Sequence, residues 1–215
     1  MYEFVTGPLA LAAILIFFFG SAGRIAAMLL LAKKDKVVYP YLNLHYGLRS
    51  LFHWVLPFGA RNMRMHPFFT VFSFLFHIGV LALPLFLRAH LVMWERATGL
   101  TAPALPEALA DTLTVIVLLV CFFFLLRRIV SPEVRYVTTA GDYLLLLLVA
   151  APFITGFLAT HQWTEYRPAL LFHVLLAELL LVLLPFTRIS HMLFFPLTRM
   201  YMGAEFGAVR HSKDW

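Results

Sequence analysis

An all-α integral membrane bundle of five transmembrane helices is the fold this sequence predicts, and three observations carry the prediction. Apolar runs recur five times, each near or beyond the roughly 20 residues a helix needs to cross a bilayer. Of the 215 residues, 62% are apolar and only 13% charged, where a soluble domain carries about a quarter charged residues. Basic side chains also gather in alternate connections, so successive loops fall on opposite faces of a membrane. The formal charge of +6 therefore reports topology, and nucleic acid is not a predicted partner. The lipid bilayer is.

The first span, 5–32, follows Met1-Tyr2-Glu3 without the basic leader of a cleaved signal peptide and is too long for one. It reads as a retained helix. The loop 33–66 carries Lys33, Lys34, Lys36, Arg49, Arg61 and Arg64 against Asp35 alone. Within it, residues 42–56 set Leu44, Leu48, Leu51, Phe52 and Val55 around Arg49, the pattern of a short helix lying on a membrane surface. The second and third spans are 67–94 and 108–128. Arg127, Arg128 and Arg135 follow against Glu133. The fourth span, 139–160, starts beside Asp142, which reads as capping or flanking it. The fifth, 168–197, leads into a tail, 198–215, with Arg199, Arg210 and Lys213 against Glu205 and Asp214. The remaining connections, 95–111 and 161–167, carry Glu95, Glu107, Asp111 and Glu165. The basic set faces the cytoplasm, which places the N-terminus outside and the C-terminus inside. No internal repeat is evident, and residues 1–215 read as one domain.

Cys121 is the single cysteine and lies within an apolar run. It cannot form an internal disulfide or ligate an iron–sulfur cluster alone. It reads as a small apolar filler.

Nine histidines remain, and four fall at membrane depth. His173 and His191 bracket the fifth span, 18 residues apart. Five turns at 3.6 residues per turn put both on one face of a continuous helix, about 27 Å apart. His77 and His90 on the second span differ by 13 residues, about 20 Å of rise. The two spans run antiparallel, so His77 matches the depth of His191, and His90 that of His173. A lone intramembrane histidine is more often a hydrogen-bonded packing residue. Two depth-matched pairs instead suggest two bis-histidine sites stacked across the bilayer, the arrangement that holds haem between facing helices. On a straight helix His77 and His90 stand roughly 140° apart around the axis. Pro84 lies between them, and a bend there would realign the faces. His45, His53, His66, His161 and His211 read as interfacial.

At this point the chain resembles the gamma, cytochrome b subunit of respiratory nitrate reductases. The likeness covers most of the sequence. It rests on Gly20-Ser21-Ala22-Gly23-Arg24, on Leu75-Phe76-His77-Ile78-Gly79, on Arg127-Arg128-Ile129-Val130-Ser131-Pro132-Glu133-Val134-Arg135 with Thr138-Thr139-Ala140-Gly141-Asp142, and on Pro185-Phe186-Thr187-Arg188-Ile189-Ser190 before His191. The chain departs at His90, since the family's usual spacing from the first ligand lands on Leu87. The longer loop, with Pro57-Phe58-Gly59 and Arg61-Asn62-Met63-Arg64-Met65-His66-Pro67, is similar to relatives in transmembrane redox complexes of sulfate-reducing bacteria.

The resemblance implies two b haems, ligated by His77 with His191 on the cytoplasmic side and by His90 with His173 on the outer side. It implies a multi-pass protein of the bacterial inner membrane, acting as the electron-transfer subunit of a multi-subunit quinone oxidoreductase. Its implied partners are a cytoplasmic iron–sulfur subunit, other membrane subunits and a periplasmic multihaem cytochrome c. Menaquinone is the implied substrate, bound beside the outer haem, where the sequence offers Arg88, His161 and Trp163. Arg24, Arg128 and Arg188 are candidates for pairing with haem propionates, because a buried carboxylate needs a cation or hydrogen-bond donors; flanking at the cytoplasmic face is the other reading of Arg128 and Arg188. Glu178, one turn past His173, is expected to face a haem or another subunit. Trp54, Tyr201, Phe206 and Trp215 are expected to lie exposed among basic residues as a partner surface. Two rival functions stand: a haem-poor anchor for other redox subunits, and an ion or proton transporter, against which the lack of repeated halves argues.

Overall fold

The computed structural model describes residues 2–215, and among them helices are the only regular structure. In chain order the main ones are α1 (Tyr2–Ala32), α2 (Leu44–Val55), α3 (Arg61–Met65), α4 (Pro67–Phe86), α5 (Arg88–Thr98), α6 (Glu107–Val130), α7 (Pro132–Tyr136), α8 (Ala140–Thr160), α9 (Tyr166–Leu183) and α10 (His191–Ala204). Five are long and apolar enough to cross a membrane: α1, α4, α6, α8, and α9 with its 3₁₀ extension to Phe186. Side chains such as Phe19, Phe68 and Leu119 stand exposed on these helices, a surface that hydrocarbon solvates and water does not.

Two spans differ from their expected form, and proline chemistry accounts for both. The second is not continuous over 67–94. Helix α4 stops at Phe86, Leu87 adopts an extended conformation (φ −68°, ψ 132°), and α5 begins at Arg88. Pro84 has already removed one ladder donor and crowds the preceding turn. The fifth span is not one helix over 168–197. Pro185 closes a 3₁₀ turn at Leu184–Phe186, Thr187 is extended (φ −118°, ψ −177°), and His191 opens a new helix. The Thr187 hydroxyl donates to the Leu183 carbonyl at 2.9 Å, satisfying an acceptor that the break leaves without a ladder partner. His173 and His191 therefore belong to different helices, and the five-turn alignment expected for them does not hold.

The chain divides into two compact units. The first runs to Val71 and resumes at Glu178. In it α1 meets Leu184–Phe186 through Gly20, where a Cβ would stand 2.6 Å from the Phe186 ring. Helix α2 starts at Asn43, whose side chain accepts from the amides of His45 and Tyr46. One face of α2 carries Leu44, Leu48, Phe52 and Val55, all exposed, as a surface-lying helix requires. The opposite face, with Gly47 and buried Ser50, packs on α10. A Cβ on Gly203 would lie 2.6 Å from the Ser50 Cβ, so only glycine allows this approach.

The tail then folds back on α2. Asp214 accepts from the Ser50 hydroxyl at 2.5 Å and pairs with Arg199 at 3.2 Å. The Trp54 indole donates to the Asp214 carbonyl at 3.1 Å. Trp215 stacks on His53 with ring centroids 4.2 Å apart and lies under the Arg49 guanidinium. The expected row of exposed aromatics is accordingly not found: Trp54, Tyr201, Phe206 and Trp215 are half-buried, because pairing with the basic and acidic groups of the same unit covers them. Lys34, Lys36 and Lys213 do stand exposed.

The second unit, Phe72–Ala177, is centred on buried Leu83, Ala110, Val117, Cys121 and Ala150, with Phe76, Leu113, Leu146 and Phe153 packed around them. Cys121 is a buried filler here, as its apolar setting suggested. Thr139 and Asp142 form a capping box at the start of α8, the carboxylate accepting from the Thr139 amide at 2.8 Å.

Candidate functional site

Two of the four histidines expected at membrane depth meet within the second unit. His90, on the first turn of α5, and His173, on α9, hold their imidazoles within 9° of parallel with ring centroids 5.9 Å apart. The break at Leu87 makes this possible. On an unbroken helix the position of His90 would follow from its 13-residue offset from His77. With the chain redirected at Leu87, its bearing is set by α5 instead.

Each ring is oriented by a backbone carbonyl. His90 Nδ1 donates to the Leu83 oxygen across the break, at 3.3 Å. His173 Nδ1 donates to the Pro152 oxygen of α8, at 2.8 Å. A carbonyl only accepts, so Nδ1 carries the proton and Nε2 the lone pair in both rings. This is how a metal-ligating histidine is commonly held.

The Pro152 carbonyl points along α8 toward Gly156, four residues on. A Cβ at 156 would lie 3.0 Å from both Cε1 and Nδ1 of His173, so glycine there opens the helix surface to the ring. Sequence reasoning passed over Gly156. Its signal was available, a single glycine inside an apolar helical run, which usually marks a close approach.

The other pair falls in separate units, His77 in the second and His191 in the first. His77 donates through Nδ1 to the Ser73 carbonyl at 2.6 Å and His191 to the Arg188 carbonyl at 3.0 Å. Both are exposed. The same local bond joins His53 to Arg49 at 2.8 Å, so by itself it does not distinguish a ligand.

Of the three arginines, Arg24 is exposed midway along α1. Arg128 donates to the Thr138 hydroxyl at 3.3 Å and receives the Tyr143 hydroxyl on its carbonyl at 3.4 Å, which ties the α6–α8 corner together. Arg188 is exposed in the 3₁₀ turn before His191. Glu178, within α9, has neither carboxylate oxygen hydrogen-bonded.

His161 and Trp163 come together at the end of α8, with ring centroids 5.8 Å apart and Phe157 against both. His161 Nε2 also approaches Asp111 Oδ1 at 3.2 Å, a contact by distance, since its angle is not that of a hydrogen bond. Asp111 had counted only as one acidic residue of its connection. Nothing in its spacing predicts this partner, 50 positions away. Arg88 is exposed at the start of α5, two residues before His90. Beside this cluster, Thr155, Leu158, Thr164, Pro168, Ala169 and Phe172 border an apolar cavity of about 390 Å³, one residue along the chain from His173.

No family model matches the sequence, and no solved structure matches it. A protein of Nitratidesulfovibrio vulgaris (strain Hildenborough), named only "Protein", is 42% identical over 98% of this chain and 95% of its own length.

Proposed function

The chain belongs to the same family as the Nitratidesulfovibrio vulgaris protein, and we propose that it is the di-haem cytochrome b subunit of a membrane quinone oxidoreductase. It carries electrons between menaquinone and a cytoplasmic iron–sulfur partner. The relative comes from a sulfate reducer, and the complexes that the sequence resembles occur in such organisms.

One observation carries the reading: the His90–His173 pair. Metal–imidazole bonds run about 2.0–2.1 Å, so two imidazoles that would share one metal need their ring centroids several ångströms apart. The observed 5.9 Å and 9° fit that arrangement. Among the described residues no group of three or more His, Cys, Asp or Glu side chains is placed to hold a metal ion. Two histidines alone would leave a metal short of ligands, and haem would bring the rest. When bound, haem supplies one-electron transfer. The chain's own residues do the rest: Leu83 and Pro152 fix the tautomers, Gly156 admits the ring, and the apolar walls exclude water. His77 and His191 are proposed as the second pair, with Arg24, Arg128 and Arg188 toward propionates.

In this reading the N-terminus faces outward across the bacterial inner membrane. Menaquinone binds near His161, Trp163 and Arg88, with Asp111 beside His161. The basic loop and tail face the iron–sulfur subunit, and a periplasmic multihaem cytochrome c with further membrane subunits completes the complex.

A pyridine haemochrome assay on the purified chain tests this. Two b haems per chain are expected, without thioether attachment, since no Cys-x-x-Cys-His occurs. Absence of haem would overturn the proposal and leave the anchor reading. A single haem would overturn the second pair.

A further inference from the structure

The first unit contains a second cavity that none of the preceding roles uses. It is a groove of about 630 Å³ between the end of α1, the chain at Tyr39–Leu44 and the last turns of α10. Met28, Leu29, Leu42, Leu197, Met200 and Met202 supply much of its apolar lining. Methionine and leucine together make an apolar surface that adapts to a flexible hydrocarbon chain, and the volume is within the range of small-molecule sites.

Asn43, Thr198 and Tyr39 add polar groups to the lining, and its one carboxylate is Asp35. Asp35 lines the groove and accepts three hydrogen bonds: from the Tyr201 hydroxyl at 2.5 Å, and from the amides of Val37 and Val38 at 2.8 and 3.1 Å. The Tyr201 hydroxyl and those amides hold its carboxyl below the usual carboxylate range, so it is ionised at neutral pH. Two oxygens offer about four acceptor positions, and three are taken. Lys34 and Lys36 flank Asp35 in the chain and are exposed, leaving the backbone about 3.8 Å to either side. The sequence Lys-Asp-Lys thus sets one fixed anion between two cations where a transmembrane helix ends, at the level of lipid headgroups.

We infer that this groove binds one phospholipid with a primary-ammonium zwitterionic head, such as phosphatidylethanolamine. The ammonium donates to Asp35, the phosphate lies toward Lys34 and Lys36, and an acyl chain occupies the methionine-lined groove. Charge complementarity selects this occupant. A phosphatidylglycerol head offers no cation to Asp35, and a choline head has no N–H to donate. Menaquinone would leave both lysines without an anion. The inference rests on the membrane-spanning architecture and not on haem binding, so either can fail alone.

The test uses the full-length chain, purified in detergent and supplied with equimolar phosphatidylethanolamine, phosphatidylcholine, phosphatidylglycerol and menaquinone. Native mass spectrometry then counts the molecules retained per chain. One phosphatidylethanolamine is expected, in preference to the other three. Asp35→Asn should reduce that retention about tenfold or more, the scale of a lost charge-assisted hydrogen bond. Because Asp35 also holds its own loop, a Lys34→Gln/Lys36→Gln variant provides a second measure that leaves those three hydrogen bonds in place. It should reduce phosphatidylethanolamine retention too. Equal retention of phosphatidylethanolamine and phosphatidylcholine would overturn the inference. So would a preference for phosphatidylglycerol or menaquinone, or retention unchanged in both variants.

Discussion

Replacing Gly156 by valine adds three carbons at a position where even the first is crowded. The first, Cβ, would already stand 3.0 Å from Cε1 and Nδ1 of His173, and the γ-methyls add bulk on the same face of α8. The ring must move, and the 2.8 Å bond from Nδ1 to the Pro152 carbonyl goes with it. Overpacking of this kind costs about 1–3 kcal/mol, or about 5- to 150-fold in occupancy of the present ring position. Haem content should fall from two to one per chain by pyridine haemochrome, with the lost species assigned by redox difference spectra. Alanine is the informative control. It favours a helix over glycine by about 0.5–1 kcal/mol, yet its Cβ meets the same ring atoms. A Gly156→Ala chain that keeps or gains thermal stability while losing part of one haem would separate the site from the fold. A Gly156→Val chain with two haems and native spectra would refute the reasoning, since a displaced His173 would no longer hold the proposed haem.

Replacing His90 or His173 by alanine should each remove the same single haem, and replacing His77 or His191 the other, as judged by haem stoichiometry. Loss of different haems from the His90 and His173 variants would sink the pairing. Asp214→Ala should free the tail, because the carboxylate is nearly buried and is bound by Ser50 and Arg199. About 1–3 kcal/mol of local stability is at stake, visible as faster proteolysis after residue 205 and a shift in tryptophan emission. The Tyr201 phenol is pushed up to about 12 by burial and by its bond to Asp35. A group whose folded pKa lies above its unfolded value stabilises fully below the unfolded value, near pH 10, and loses that contribution as pH rises toward 12. Thermal stability followed over that window should fall more steeply in the native chain than in Tyr201→Phe.

What was legible in the sequence is what a short stretch of chain decides by itself. Five apolar segments suited to crossing a hydrocarbon layer could be read because length and side-chain solvation are local properties, and the structure has helices at all five. Asp142 at the start of the fourth span and the short amphipathic helix at Leu44–Val55 were legible for the same reason, since spacing of three or four residues fixes which groups share a face. Continuity was not legible. Pro84 announced a disturbance on the second span but not that the chain would turn at Leu87, and Pro185 ended the fifth helix before His191. A proline removes one hydrogen bond wherever it stands; the direction taken afterwards depends on what the next helix packs against. That choice brought His90 beside His173, although helical arithmetic on a straight span sets His90 apart. Tertiary packing likewise decided that Gly156 would receive an imidazole, that Asp111 would meet His161, and that Asp214 would hold the tail on α2. Each is a contact between groups far apart in the chain, and only the assembled helices put them within reach.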